Sequence, residues 1–256
     1  MTGAMSIGVA GALGPDAIAD IAADVERLGF SALWVNDTPD GDAVAALAAA
    51  AAATERLVLA TGVVPVDRVD PDTLARRAAA LPPERSIIGI GSGAAREGAL
   101  GRVADAVARL RGGGVRRVYV GALGPRMRRL GAERADGVLL NWVTPARAAE
   151  QRSELREVAE GARLAVYVRT ALDDAARPRL AVEAARYASY PNYAAHFARS
   201  GTTAIQTAFD GVEALRSGLD AYRRSADEVV LRAITPTDDA AAYRDFVERA
   251  ARETFA

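Results

Sequence analysis

Short apolar runs alternate along this chain with longer stretches in which apolar residues recur every three or four positions. An uninterrupted apolar run suits a strand buried on both faces, and the longer spacing suits an amphipathic helix. Ile7 to Ala10, Ala32 to Val35, Leu57 to Thr61 and Ile87 to Ile90 read as four strands. Val118 to Val120, Val138 to Leu140, Leu164 to Val168 and Val229 to Ala233 read as four more. Between them, Ile18, Ile21, Ala22, Val25 and Leu28 define the inner face of one helix, and Val103, Ala106, Val107 and Leu110 that of another. The punctuation agrees. Gly14-Pro15 opens a helix that Gly29 ends, and Asp42 or its neighbours start an alanine-rich second helix. Asp70-Pro71 opens a helix reaching Leu81, and Thr144-Pro145 one reaching Ala159.

Strand and helix alternating over short loops imply a parallel sheet, because parallel neighbours need crossover helices. Eight such strands predict an α/β fold, a compact TIM (β/α)8 barrel, in preference to an open sheet. Residues 175–226 form a mostly helical excursion between strands seven and eight, and Asp238 to Arg252 a closing helix. No linker divides the chain, so 1–256 is expected to be a single domain.

The stretch from Val118 to Pro145 is the most suggestive. It reads as strand, turn, helix, turn, strand and the start of a further helix. Gly121 and Gly124 allow a sharp turn and close approach of a ligand, and Pro125 pre-sets the first helical turn. A helix start aimed at the carboxyl end of a strand offers unpaired amides and a favourable dipole to an anionic or polar ligand. The stretch is therefore expected to form one wall of a cofactor site.

Composition narrows the chemistry. Half of the residues are hydrophobic but only 5% are aromatic, so the core has to be aliphatic and alanine-rich. Basic residues number 32 and acidic ones 33, a balance that argues against a general nucleic-acid or membrane-surface role. With no cysteine there is no disulfide, thiolate metal site or cysteine nucleophile. The single histidine, His196, excludes a histidine-rich metal site. The opening residues lack a basic segment followed by a long apolar one, so no signal peptide is expected. The alanine-rich stretch between Asp42 and Thr54 falls well short of the ~20 apolar residues that a membrane span needs. A cytoplasmic protein is the expectation.

In such barrels the chemistry sits on the loops that follow the strands. That rule selects Asp37 and Thr38, Gly62 and Val63, Ser92 and Gly93, Gly121 to Pro125 (with Ala122, Leu123 and Gly124 between), Asn141 and Trp142, and Arg169. These groups are small or hydrogen-bonding. Paired carboxylates, lysine and histidine, on which hydrolases, aldolases and isomerases rely, are scarce among them. Such a mouth suits a cofactor that brings its own chemistry. Residues 89–94, GIGSGA, also fit a dinucleotide fingerprint. They follow the fourth strand instead of opening the fold, and no strand-end acidic residue lies about twenty positions on.

Several residues carry a plainer reading beside the functional one. Asp37 is either a site residue or a cap or turn residue for the next helix. Asn141 is either a ligand contact or a partner for a neighbouring backbone group. Trp34 and Trp142 read first as packing residues. The aromatic cluster at 187–197, with His196, is either a lid over the mouth or the excursion's own small core. Arg126, Arg128 and Arg129 either reach a phosphate or form a solvated helix face.

Four motifs in order, LGFSALWVND (28–37), ATERLVLATGV (53–63), IGIGSG (88–93) and VGALGPRM with ADGVLLNW (120–142), resemble the bacterial-luciferase-like family of flavin and deazaflavin (coenzyme F420) oxidoreductases. The likeness covers most of residues 5 to 170 and, more loosely, DEVVLR at 227–232, and is nearest to the F420-type reductases. The resemblance implies that Asp37 lies by the cofactor ring. Thr38 stands where the family often has a histidine proton donor, so the usual acid-base partner is missing. Gly62-Val63 falls where F420 members have a non-prolyl cis peptide supporting the ring. Ser92 falls at the strand-four contact, Gly121 to Pro125 along the cofactor's chain and phosphate, and Asn141 at the neighbouring strand end. The long insertion that many relatives carry after strand four is missing, which implies a shallow, open pocket. Relatives pair helices two and three across a dimer, which gives the alanine-rich helix a role in a homodimer. The implied activity is F420-dependent hydride transfer to or from a small organic substrate, with Asp37 and Thr38 nearest the chemistry. The alternatives are an FMN-dependent monooxygenase, which needs a reductase partner and oxygen, and a degenerate member that binds a flavin-like ligand without turnover.

Overall fold

The computed structural model of the protein describes residues 2–94 and 97–255. Eight parallel strands close into a barrel: β1 (Ala4–Ala10), β2 (Ala32–Asn36), β3 (Val58–Thr61), β4 (Ser86–Gly91), β5 (Val118–Gly121), β6 (Gly137–Asn141), β7 (Arg163–Ala171) and β8 (Glu228–Ala233). Closure comes from β8, which pairs with β7 on one side and β1 on the other. A two-residue segment, Val64–Pro65, carries β3 onward beside the end of β4. The helices between strands are α1 (Pro15–Arg27), α2 (Ala43–Ala52), α3 (Pro71–Ala78), α4 (Ala99–Gly112), α5 (Pro125–Arg134) and α6 (Pro145–Val158). After β7 come α7 (Arg177–Ser189), α8 (Pro191–Ser200), a short strand Phe209–Asp210 beside β7, and α9 (Val212–Ser225). The chain closes with α10 (Ala240–Phe255).

The expected barrel and excursion are therefore present, with shifts of a few residues at element ends. The third helix stops at Ala78, before Leu81, and the last starts at Ala240, two residues after Asp238. Three caps explain where helices start. Asp42 accepts from the Ala45 amide, Asp70 from that of Thr73 and Thr144 from that of Arg147.

Strand pleating sorts side chains into two cores. Outward residues such as Ile7, Val9, Leu33 and Val35 pack against the helices. Inward residues fill the barrel: Trp34, Tyr119, Tyr167, Leu139 and Val230 form one plug, with the Trp34 ring 5.8 Å from Tyr119 and 6.0 Å from Tyr167. Trp34 is thus a packing residue, and its indole N–H donates to Glu228 at 2.7 Å. Ser6 Oγ donates to the same carboxyl oxygen at 2.6 Å. No helix among the described residues is long and apolar enough to cross a membrane.

Burial pushes the Glu228 carboxyl above its ordinary value of 4.5, although the two hydrogen bonds oppose the shift. A raised folded value means that the folded chain holds the proton where the unfolded chain has lost it. This group's contribution to stability is thus complete below the ordinary value and declines as pH rises through the folded one. Glu228→Gln, which keeps an acceptor and cannot ionise, should gain stability relative to wild type as pH rises from the ordinary carboxyl value of 4.5 towards neutrality. Denaturant midpoints measured across that range check this; a pH-independent difference refutes it.

Candidate functional site

The pleat brings one inward position from each of seven strands to the carboxyl-end rim of the barrel. Around β2, β6, β7 and β8 these are Asn36, Asn141, Arg169 and Arg232. At the ends of β3, β4 and β5 they are Gly62, Gly91 and Gly121. One half of the rim is polar, and the other lacks side chains.

The glycines leave room for particular neighbours. A Cβ on Gly62 would stand 2.1 Å from the Tyr167 hydroxyl. On Gly91 it would stand 2.7 Å from Val63 Cγ2, and on Gly121 3.1 Å from Val63 Cγ1. The Val63 side chain therefore lies across two bare backbones and makes a flat apolar platform with them. The Gly62–Val63 peptide is cis.

The polar half is tied together. Asn36 Nδ2 donates to the Gly62 carbonyl at 2.6 Å, and Arg232 Nε donates to Asn36 Oδ1 at 2.8 Å, which orients the amide. Asn141 Nδ2 donates to the Tyr193 hydroxyl at 3.2 Å. Arg169 is only 3% exposed and donates from Nε to Glu183 at 3.0 Å. Its guanidinium carbon lies 4.3 Å from the Trp142 ring centroid and 4.9 Å from that of Tyr187, two cation–π contacts to rings that also touch each other at 5.1 Å. Burial alone would push the Glu183 carboxyl up, but Arg169 and Arg232 outweigh it and hold the carboxyl below its ordinary value. Burial pushes the Tyr193 phenol up to about 12 and raises Tyr167 as well, so both are neutral donors at neutral pH.

Between the two halves lies a cavity of about 300 Å³, roofed by Tyr187, Asn192 and Tyr193 from α7 and α8. A second cavity of about 460 Å³ opens behind Glu183 and Arg232, between α7 and the ends of β1 and β8. Beside the mouth, Trp142 has φ 55, a left-handed conformation costly for a bulky residue. Its carbonyl accepts from His196 Nε2 at 2.9 Å, which assigns that nitrogen the proton. Its ring packs with Phe197, Ala184 and Ala204.

Residues 3–111 match the luciferase-like monooxygenase family. The match runs from β1 through most of α4 and carries the β2, β3 and β4 sides of the mouth. No curated protein matches the sequence. Solved structures agree in fold. An F420-dependent secondary alcohol dehydrogenase in complex with an F420-acetone adduct is similar over 97% of this chain and 99% of its own, with TM-score 0.74 and 15% identity. The coenzyme F420-dependent tetrahydromethanopterin reductase of Methanopyrus kandleri is similar over 99% and 98%, with TM-score 0.71 and 15% identity. The oxygenating constituent of 3,6-diketocamphane monooxygenase of Pseudomonas putida, in complex with FMN, is similar over 98% and 97%, with TM-score 0.68 and 16% identity. The fold is the barrel that these structures share.

In this barrel the cavity gathers Asp37, Gly62, Val63, Ser92, Gly121, Ala122, Leu123 and Asn141 from the sequence-predicted site. Thr38, Gly124 and Pro125 are not among its lining residues. The Thr38 hydroxyl is buried, has no hydrogen-bond partner among the described residues and lies against Gly41. Gly124 and Pro125 instead cap and open α5. Asp37 does line the cavity, but it also takes the plainer role: its carboxylate pairs with Arg68 and accepts from the Ala43 amide at the start of α2. Arg128 is neither solvated nor free for a phosphate. It is buried, pairs with Glu154 at 2.7 Å and reaches the Leu123 carbonyl. The aromatic cluster fulfils both of its readings, since Tyr187 and Tyr193 belong to the small core around Trp142 and also roof the cavity. The α7–α8 pair lines one side of this cavity through Tyr187, Asn192 and Tyr193.

Sequence reasoning missed Asn36, Pro65, Gly91, Leu139 and Tyr167 as lining residues, and named Tyr187, Asn192 and Tyr193 only within the 187–197 cluster. One signal was available. In β7, Ala165, Tyr167 and Arg169 share a face, and in β8 so do Glu228, Val230 and Arg232, so each strand points charge inward near its end. The platform yields a test of packing. Gly91→Ala should cost about 1–3 kcal/mol by overpacking against Val63, and nearly nothing in a Val63→Ala background. Equal costs in both backgrounds, measured by denaturant unfolding, refute the contact.

Proposed function

We propose that residues 1–256 form one luciferase-like oxidoreductase domain that binds a flavin-type cofactor in the barrel mouth. Its preferred cofactor is F420, used for hydride transfer with a small organic substrate. The observation that carries this reading is the divided rim. A flat apolar platform of Val63 over Gly91 and Gly121 faces a half-ring of hydrogen-bonding groups, which fits a planar heterocycle with polar edges. Gly62 and Val63 would support the ring, and Asp37, Ser92 and Asn141 would meet its polar edge. The loop from Gly121 to Pro125, whose α5 start has no side-chain cap, would take the phosphate-bearing chain.

Bound there, the cofactor would supply the redox chemistry. The protein's own groups bind and orient. Asp37 is engaged with Arg68, Glu183 with Arg169, and the phenols hold their protons, so no residue of the mouth is arranged as a strong general base. Substrate protons would pass to solvent or to the substrate itself. The compartment is proposed to be the cytoplasm, and α2 and α3 are proposed to pair across a homodimer, with Ala45 and Ala52 on the outward face of α2.

Titration of the purified protein with F420 and with FMN, followed by fluorescence and calorimetry, tests this. Micromolar F420 binding with weaker FMN binding is expected. The reverse order supports the FMN monooxygenase instead, and saturation by neither supports the degenerate binder. Asp37→Ala should weaken the tighter ligand by roughly one hydrogen bond, three- to tenfold, while the barrel still unfolds cooperatively; unchanged affinity removes Asp37 from the ring contact. Sedimentation should show a dimer that Ala45→Glu dissociates.

A further inference from the structure

Two buried polar atoms in the mouth have no hydrogen-bond partner among the described residues: Arg169 Nη1 and the Tyr167 hydroxyl. Both residues are 3% exposed, and both line the cavity. They sit two apart on β7, so the pleat aims them the same way, one layer above the other. A buried donor left unmade costs far more than one that is satisfied, and a guanidinium more than a neutral group.

The charge balance points in the same direction. On the rim, Asp37 is matched by Arg68. Arg169 and Arg232 stand in register on neighbouring strands, and Glu183 is the one carboxylate among the described residues that faces both, which leaves a positive charge uncompensated. Gly8 makes the crowding possible, since a Cβ there would stand 3.3 Å from Arg232 Cδ. Trp142 and Tyr187 hold the Arg169 guanidinium in one orientation, with Nε spent on Glu183 and Nη1 left over.

We propose that Arg169 Nη1 and the Tyr167 hydroxyl form an oxyanion subsite, and that the substrate is an organic acid whose carboxylate, sulfonate or phosphate seats there. The word substrate rests on the oxidoreductase reading; the subsite itself does not. The geometry favours substrate over cofactor phosphate. Arg169 lies on the polar half of the rim under the α7–α8 roof, whereas the bare glycine loops and the uncapped start of α5 lie on the other half.

The test uses cofactor-free protein titrated calorimetrically with acetate, methanesulfonate and inorganic phosphate at constant ionic strength. Saturable binding of at least one is expected, weakened about tenfold or more by Arg169→Gln and more modestly by Tyr167→Phe. Glu183→Gln removes the competing carboxylate and should tighten the same anion. A purely structural role for this pair predicts no tightening, so Glu183→Gln keeps the test decisive even where Arg169→Gln unfolds. Absence of saturation, or unchanged affinity in Arg169→Gln, overturns the subsite. Displacement of the anion by FMN but not by riboflavin, which lacks the phosphate, overturns its assignment to substrate. Anion binding with this mutant pattern, but no binding of F420 or FMN, upholds the subsite and overturns only the cofactor reading.

Discussion

The pairing of β8 with both β7 and β1 is the constraint on which the rest of this molecule depends. Closing the sheet makes every strand buried on both faces, which is why apolar runs dominate the strands. It also gives inward side chains no exit except at the two ends. Below the rim they pack as a plug around Trp34, Tyr119 and Tyr167. At the carboxyl end the layer is unfilled, because β4 and β5 end in glycine and a glycine directly follows β3. A cavity follows from that local absence of side-chain volume.

The polar half of the same layer is preorganised. Arg232 orients Asn36, which holds the Gly62 carbonyl, and so ties β8 to the platform across the mouth. Glu183 reaches from α7 into the gap between Arg169 and Arg232. The roof is thereby joined to the barrel by an ion pair, by rings stacked against Arg169, and by the His196 bond that holds Trp142 in its unusual backbone conformation. Such a site has donors and a fixed shape but no free base. That combination is consistent with chemistry brought by a bound cofactor.

Much of this was legible in the chain. Hydrophobic period and capping residues were enough for the eight strands, the helix starts at Asp42, Asp70 and Thr144, and the excursion before β8. The position of Asp37, Ser92, Gly121 and Asn141 at the mouth followed from their places after strands, because backbone pleat and loop order are local properties. Thr38 shows the limit. It directly follows a cavity-lining residue, yet its hydroxyl lies buried against Gly41, and neighbours remote in sequence decide that placement.

The barrel, its strand order and the glycine-rich strand ends were already present in the chain's local pattern, since these follow from period, propensity and turn chemistry within a few residues. Packing across the closed barrel is what lays Val63 over Gly91 and Gly121, brings α7 and α8 to the mouth, and engages Arg128 with Glu154 while Arg169 Nη1 has no partner among the described residues. The physical reason is that contact and charge compensation depend on distances between strands and helices far apart in the chain. Those distances exist only once the barrel has closed.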